Sequence, residues 1–283
     1  MSRPGSQAGG RDPDHGVRAR EQRQARRFGF SLKEVTFPLP PAGPQVILDA
    51  FAAAISPRTR VMHFANPLGG YGCYVPVCDL ARMAHAKNIL CFVDGAHATG
   101  MVRFNLKEWE VDGFACNSHK WLCGAAGAGM LYVRREIQDR VWPNIGIWRD
   151  PPRGARKYEA VARRPWPTVM ALGDILDFHT AVGASRIEER GRALGAYLRQ
   201  QAAAIPKVKI YTPFQPAMSA AVTTLGIEGV PGARLKELLR QKYDTYVPGG
   251  GDRIRFSTHY FNTFEQVDRV LAALGELARG GAA

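Results

Sequence analysis

The chain has 283 residues, 46% of them hydrophobic and 10% aromatic, and a formal net charge of +13. That is enough apolar material for one large domain, or a large one with a smaller companion, and no apolar run has the length needed to span a bilayer. The opening MSRPGSQAGGRDPDHG lacks a secretory apolar stretch, and RRFGF at 26–30 is followed by SLKEVTFPLPP instead of an apolar run, so the cytoplasm is the expected compartment.

The positive charge is unevenly spread. Seven arginines fall within residues 1–27, in a Gly/Pro/Gln-rich stretch that reads as a basic, disordered tail. A second cluster, WRDPPRGARKYEAVARRPW at 148–166, is broken by prolines and reads as a solvated loop or an anion-attracting rim. No nucleic-acid module accompanies either cluster, so neither a nucleic acid nor a membrane is expected as a partner.

In chain order, PQVILDAFAAAI (44–55) places Pro at a helix start with apolar residues at helical spacing, and RVMHFA (60–65) reads as a short strand. PVCDLARMAHAK (76–87) puts Val77, Leu80, Ala81 and Ala84 on one helical face and stops at Asn88, a suitable left-handed cap. The run Ile89–Val93 follows at once, and its unbroken apolar character predicts a strand covered on both faces of a parallel sheet. GFACNS (113–118) and GAGMLYVR (127–134) are two further strands. From 168 the pattern turns helical, with Val169, Leu172 and Leu176 before Gly183. Ser185 and Glu188 then form a capping-box signature for a second helix reaching Ile205.

Beyond about residue 207 come short strands (KVKIYT, AAVTTLGI), a helix (ARLKELLRQK), a glycine turn, the strand IRFST and a final helix. The expected organisation is therefore the tail 1–27, a large domain over 28–204 and a small α+β domain over 205–283.

Five cysteines, at 73, 78, 91, 116 and 123, fall in one middle stretch without CxxC spacing. They read as reduced, mostly buried thiols, and no metal site is expected.

Asp94 closes the strand 89–93, and Lys120 lies among small residues after the next strand. The carboxyl ends of strands are where open α/β sheets bind ligands. Taken alone, Asp94 reads equally as a turn cap and Lys120 as a surface lysine. Asn66 reads as a turn former before Pro67, Arg255 as the partner of a surface acid, and His97 and His119 as structural histidines. Trp121, Phe104 and Trp109 read as packing residues.

Three segments decide between these readings: SPRTRVMHFANPLGGYGCYVPVCDLARMAHAKNILCFVDGAHATG, VDGFACNSHKWLCGAAGAGMLYVRR and RIRFSTHYFNTFEQVDRVLAAL. In order and spacing they resemble the class V aminotransferases among the fold-type-I pyridoxal-phosphate enzymes, within them the isopenicillin-N-epimerase-like branch. The resemblance implies an α/β large domain with a mostly parallel sheet plus a smaller C-terminal α+β domain. It also implies pyridoxal 5'-phosphate as cofactor, a small amino-acid substrate and a homodimer. By the same resemblance Lys120 carries the cofactor as a Schiff base and Asp94 faces its pyridine nitrogen. His97 lies near the phenolic oxygen, Asn117 and His119 near the phosphate, and Asn66 and Arg255 near the substrate carboxylate.

The resemblance further implies a phosphate-cradling loop ahead of ARRFGFSLKEV, and MSRPGSQAGGRDPDHGVRAREQRQ has none. Arg163 or Arg164 is a substitute donor. The alternative to an active enzyme is a truncated, catalytically weak paralogue serving as a partner or scaffold. A cysteine desulfurase is disfavoured because residues 124–283 contain no cysteine to act as its nucleophile. Epimerisation, transamination and elimination share their first steps and are not separated by sequence.

Overall fold

The computed structural model describes residues 29–143, 145, 149–150, 152–159 and 165–280. The tail at 1–27 and Arg163 and Arg164 lie outside them. The described residues form two four-stranded sheets.

The first sheet runs β1 (Val61–Ala65), β2 (Leu90–Asp94), β3 (Gly113–Asn117), β4 (Gly129–Val133) in spatial order. β1, β2 and β3 are parallel, and β4 is antiparallel to β3. The crossover from β1 to β2 carries helix α2 (Val77–His85), whose Val77, Leu80, Ala81 and Ala84 are buried. Asn88, at φ 54°, ends that passage in the left-handed conformation, as its position after the last periodic residue leads one to expect.

Helix α1 (Pro44–Ala54) adds Ile47 and Phe51 to the same core, against Met62, Phe64, Cys91, Val93 and Phe114. Burying each such side chain contributes about 1.5–3 kcal/mol.

The expectation of a strand covered on both faces is not met. Cys91 and Val93 are buried, whereas Leu90 and Phe92, on the other face, are only half-buried. On the neighbouring strands Val61 and Leu131 are 51% and 59% exposed. An unbroken apolar run does not distinguish two packed faces from one packed face and one that lines a cavity, and here Phe92 and Leu131 line a cavity.

Asp112 knits this sheet together from beneath. It is fully buried, and one carboxylate oxygen accepts from the Cys91 backbone N–H at 2.7 Å and lies 3.0 Å from His85 Nε2. The other oxygen pairs with Arg134 Nη2 at 2.6 Å.

Beyond a short helix, α3 (Leu106–Trp109), the chain passes into α4 (Trp166–Val182) and α5 (Ala184–Ala203). The two are separated by Gly183, whose φ of 93° is open to glycine and strained for other residues. The expected capping box is not formed: α5 begins at Ala184, one residue before Ser185. The Glu188 carboxylate instead accepts from the Arg103 backbone N–H at 3.0 Å and from Arg192 Nε at 2.8 Å. These charge-assisted bonds hold Glu188 below its ordinary carboxylate range against the opposing effect of burial. Along α4 Val169 and Leu172 are half-buried and Leu176 is exposed, Met170 is 70% exposed, and His179 is the one buried residue of the helix.

The second sheet is antiparallel, in the order β5 (Val208–Ile210), β6 (Val222–Ile227), β8 (Arg253–Ser257), β7 (Gly249–Gly250). It packs with α5, α6 (Gly232–Tyr243) and α7 (Phe264–Gly280) around Leu194, Leu198, Leu225, Leu235, Ile254 and Leu274.

The segment leading into β6 joins the two halves. Tyr74 donates its N–H to the Met218 carbonyl, and Cys73 bridges Ser219. From α5, buried Arg199 donates to the Ala220 carbonyl, Thr223 Oγ1 and Ser219 Oγ at 3.0–3.2 Å. Among the described residues no helix is long and apolar enough to cross a membrane, and no group of side chains is arranged to hold a metal ion. Of the five cysteines Cys73 and Cys91 are buried, Cys78 and Cys116 half-buried and Cys123 exposed. Burial pushes the Cys73 and Cys91 thiols up to about 12.

Candidate active site

Strand polarity brings Ala65 and Asp94, the last residues of β1 and β2, side by side with Ala115 in β3. The Asp94 carboxylate accepts from the Ala96 N–H at 2.9 Å, which fixes it at the head of the following turn. It borders a cavity of about 500 Å³ whose wall also includes Phe92, Ala96, Asn117, Lys120 and Leu131. Asp94 and Lys120, 26 positions apart in the chain, thus face one space.

The loop that carries Lys120 is folded back by Ser118, whose hydroxyl donates to the Ala125 carbonyl at 2.7 Å and lies 3.1 Å from that of Ala128. Gly124 makes this tight approach possible, since a Cβ there would sit 2.8 Å from the Ser118 Cβ. Lys120 itself is half-buried.

Its Nζ lies 3.4 Å from His97 Nε2, and the opposite ring nitrogen of His97, Nδ1, accepts from Trp121 Nε1 at 3.0 Å. Behind the imidazole lies Gly69, where a Cβ would come within 2.6 Å of the ring. Arg255 reaches this point from β8, donating through Nη1 to the Gly69 carbonyl at 2.8 Å. Burial, reinforced by the positive charges of Lys120 and Arg255 and opposed by Asp94, lowers His97 to about 4. The ring is therefore neutral at physiological pH.

The remaining expected site residues are placed less uniformly. Asn66 is buried at the end of β1. Its Oδ1 accepts from the Val75 N–H at 3.0 Å, while its Nδ2 is buried without a hydrogen-bond partner. Asn117 lines the cavity, and its Oδ1 is likewise buried and unpartnered. Such atoms are costly unless something polar meets them. His119 is exposed in the turn just before Lys120. Asn66, His97, His119 and Arg255 do not line the cavity that Asp94, Asn117 and Lys120 share.

Two residues of this neighbourhood were not legible as such. Trp121 is buried, as a packing residue should be, yet its indole N–H is spent on His97. His259 stacks on Trp121 with centroids 4.9 Å apart and rings 11° from parallel, and its Nε2 lies 3.5 Å from Cys123 Sγ. The signal for Trp121 is its adjacency to Lys120. For His259, 136 residues beyond Cys123, no local pattern exists.

The chain matches the family described as aminotransferase class-V over residues 21–270. The isopenicillin N epimerase of Amycolatopsis lactamdurans is 29% identical over 282 residues, covering 91% of this chain and 70% of that protein. Among solved structures, an apo cysteine desulfurase from Thermococcus onnurineus NA1 superposes with a TM-score of 0.80 at 21% identity, covering 94% of this chain and 70% of that one. C-DES with glycine covalently linked to its PLP cofactor gives 0.78 at 22% identity, over 94% of this chain and 72% of that one. At such identities the superpositions establish the α/β fold of fold-type-I enzymes, with its mixed, mostly parallel sheet. The family follows from the sequence match, which spans most of the chain: this protein belongs to the class V aminotransferase family.

Proposed function

We propose that this protein is a pyridoxal-phosphate-dependent enzyme acting on a small amino-acid substrate, with Lys120 as the residue that holds the cofactor. The observation that carries the reading is the convergence of Asp94 and Lys120 on one cavity of about 500 Å³ at the carboxyl edge of a parallel sheet, a size suited to a small ligand. The residues present fit the group. The cavity offers an amine for an aldehyde and a carboxylate for a protonated ring nitrogen, and the unpartnered Asn117 Oδ1 on its wall calls for a polar molecule. When bound, the cofactor supplies an electron sink for charge that develops at the substrate α-carbon.

The chain's own groups then divide the work. Asp94, held by the Ala96 N–H, keeps a proton on the pyridine nitrogen by charge. His97 stands beside Lys120 as a neutral imidazole. Asn117 and His119, flanking Ser118 on the lysine loop, are the candidates for the phosphate. Arg255 and Asn66 are the candidates for the substrate carboxylate, a task for which a planar guanidinium is well shaped. Lys120, the lysine on the cavity wall, would be the group that moves a proton at the substrate α-carbon.

The relatives include enzymes named for epimerisation and for desulfuration. The glycine-rich segment before β8, β7 and the turn after it (249–252), offers no thiol, which weighs against desulfuration here. The organisation that goes with this reading is a cofactor domain over 28–204 and a small domain over 205–283. A homodimer would cover exposed apolar residues of α4 such as Trp166 and Met170, and the cytoplasm is the compartment. Titrating the purified chain with pyridoxal phosphate should give a saturable visible absorbance band that changes on adding an amino acid. No band at any concentration would favour the scaffold alternative.

A further inference from the structure

We propose that Trp121 is a positioning residue whose indole N–H holds His97 as the Nε2-protonated tautomer, so that the ring nitrogen facing Lys120 is a hydrogen-bond donor.

The inference follows from what each group is able to donate. An indole nitrogen donates and never accepts, so His97 Nδ1, 3.0 Å from Trp121 Nε1, must present its lone pair. A neutral imidazole has one N–H, and with Nδ1 occupied as an acceptor the proton lies on Nε2. The charged imidazolium is disfavoured by the same contact, because its Nδ1–H would point at another N–H. Burial and the nearby cations Lys120 and Arg255 act in the same direction. Nε2 faces Lys120 Nζ at 3.4 Å, where an ammonium also asks for an acceptor; the indole contact is the shorter at 3.0 Å and its donor is held in place by packing, whereas the ammonium can turn its protons elsewhere, so Nδ1 keeps the lone pair.

Trp121 is well placed to impose this choice because it cannot readily turn away. It is 5% exposed, packs with Ala98, Met101 and Val102, and is stacked face to face on His259. Rotating the indole to release His97 would break that stack and open a void, a costly change in a packed interior. Without the indole N–H the imidazole is free to take either tautomer, and part of the population would turn an acceptor toward Lys120. The value of a donor at that position rests on the cofactor reading above. The tautomer itself does not, and it is read in the cofactor-free chain.

The test is a long-range proton–nitrogen NMR spectrum of the full chain labelled with ¹⁵N-histidine, without cofactor, near pH 7.5, where an ordinary histidine is neutral. His97 is assigned by the loss of its signals in His97→Asn. In the wild-type chain it should appear as the Nε2–H tautomer alone. In Trp121→Phe, which keeps a ring against His259 and deletes only the donor, both tautomers should appear. An Nδ1–H or doubly protonated His97 in the wild type, or an unchanged spectrum in folded Trp121→Phe, would overturn the proposal. Should Trp121→Phe not fold, the wild-type spectrum decides. Failure of pyridoxal phosphate to bind would sink the functional reading and leave this result standing.

Discussion

Arg255 on β8 donates to the carbonyl of Gly69 at 2.8 Å, across 186 residues of chain, and Gly69 is the residue on which the His97 ring rests. One guanidinium thus ties the C-terminal sheet to the loop that backs the candidate catalytic histidine. Gly69 is required there for closeness of approach, since a Cβ would fall 2.6 Å from both Cδ2 and Nε2 of His97. Gly69→Ala should push the imidazole from its place at a cost of about 1–3 kcal/mol. Denaturant unfolding checks the stability, and the His97 nitrogen resonances check the displacement.

Arg255→Lys separates two roles. A lysine still reaches a carbonyl as a point charge but loses the planar fork that grips a carboxylate. Amino-acid affinity should fall by about tenfold or more, roughly 1.4 kcal/mol, with cofactor affinity changed much less. Both constants are measured by absorbance titration, and equal losses would leave Arg255 only its hold on Gly69.

Asp112→Ala should destabilise the fold without touching the cavity wall. It strips the buried partner from Arg134 and leaves the Cys91 N–H unsatisfied inside the sheet. The expected loss is about 3 kcal/mol, toward the lower end for a broken buried pair because Arg134 retains access to water. Chemical denaturation of the two proteins reads it directly.

The parts of this structure that the sequence makes legible are those with a local cause. The helix over 77–85 follows from Val77, Leu80, Ala81 and Ala84 on one face and from Asn88 beyond its end. Asp94 and Lys120 were recognisable because each closes or follows a strand, and the resemblance of the motifs around them joined the two. What failed was non-local. Ser185 and Glu188 have the spacing of a capping box, but Glu188 gains more from Arg103 and Arg192, the first brought from 85 residues away. The apolar run before Asp94 gave no sign that one face would line a cavity. His259 enters the site through the stacking of a distant loop on Trp121, a contact that no spacing rule contains.

Stability should fall as the solution is acidified. Burial lowers His97 and His259 from the ordinary 6.5 to about 4. Between those values the unfolded chain holds more protons than the folded one, so stability rises with pH across the window and is lost on descending through it. Each histidine contributes up to about 1 kcal/mol per pH unit there. His259→Phe, which keeps a ring against Trp121, should flatten the dependence. Urea unfolding at several pH values compares the two slopes, and parallel slopes would show that His259 does not contribute.

The assignment of Lys120 is tested most directly by borohydride reduction of the chain saturated with pyridoxal phosphate, followed by peptide mapping. Reduction fixes the cofactor on whichever amine holds it, so the map names the residue. The pyridoxyl group should be found on Lys120, in the peptide spanning SHKWLCGAAG, and Lys120→Ala should lose both the label and the visible absorbance. A label on any other lysine, or an undiminished absorbance in Lys120→Ala, would contradict the placement of the active site at the carboxyl ends of β2 and β3.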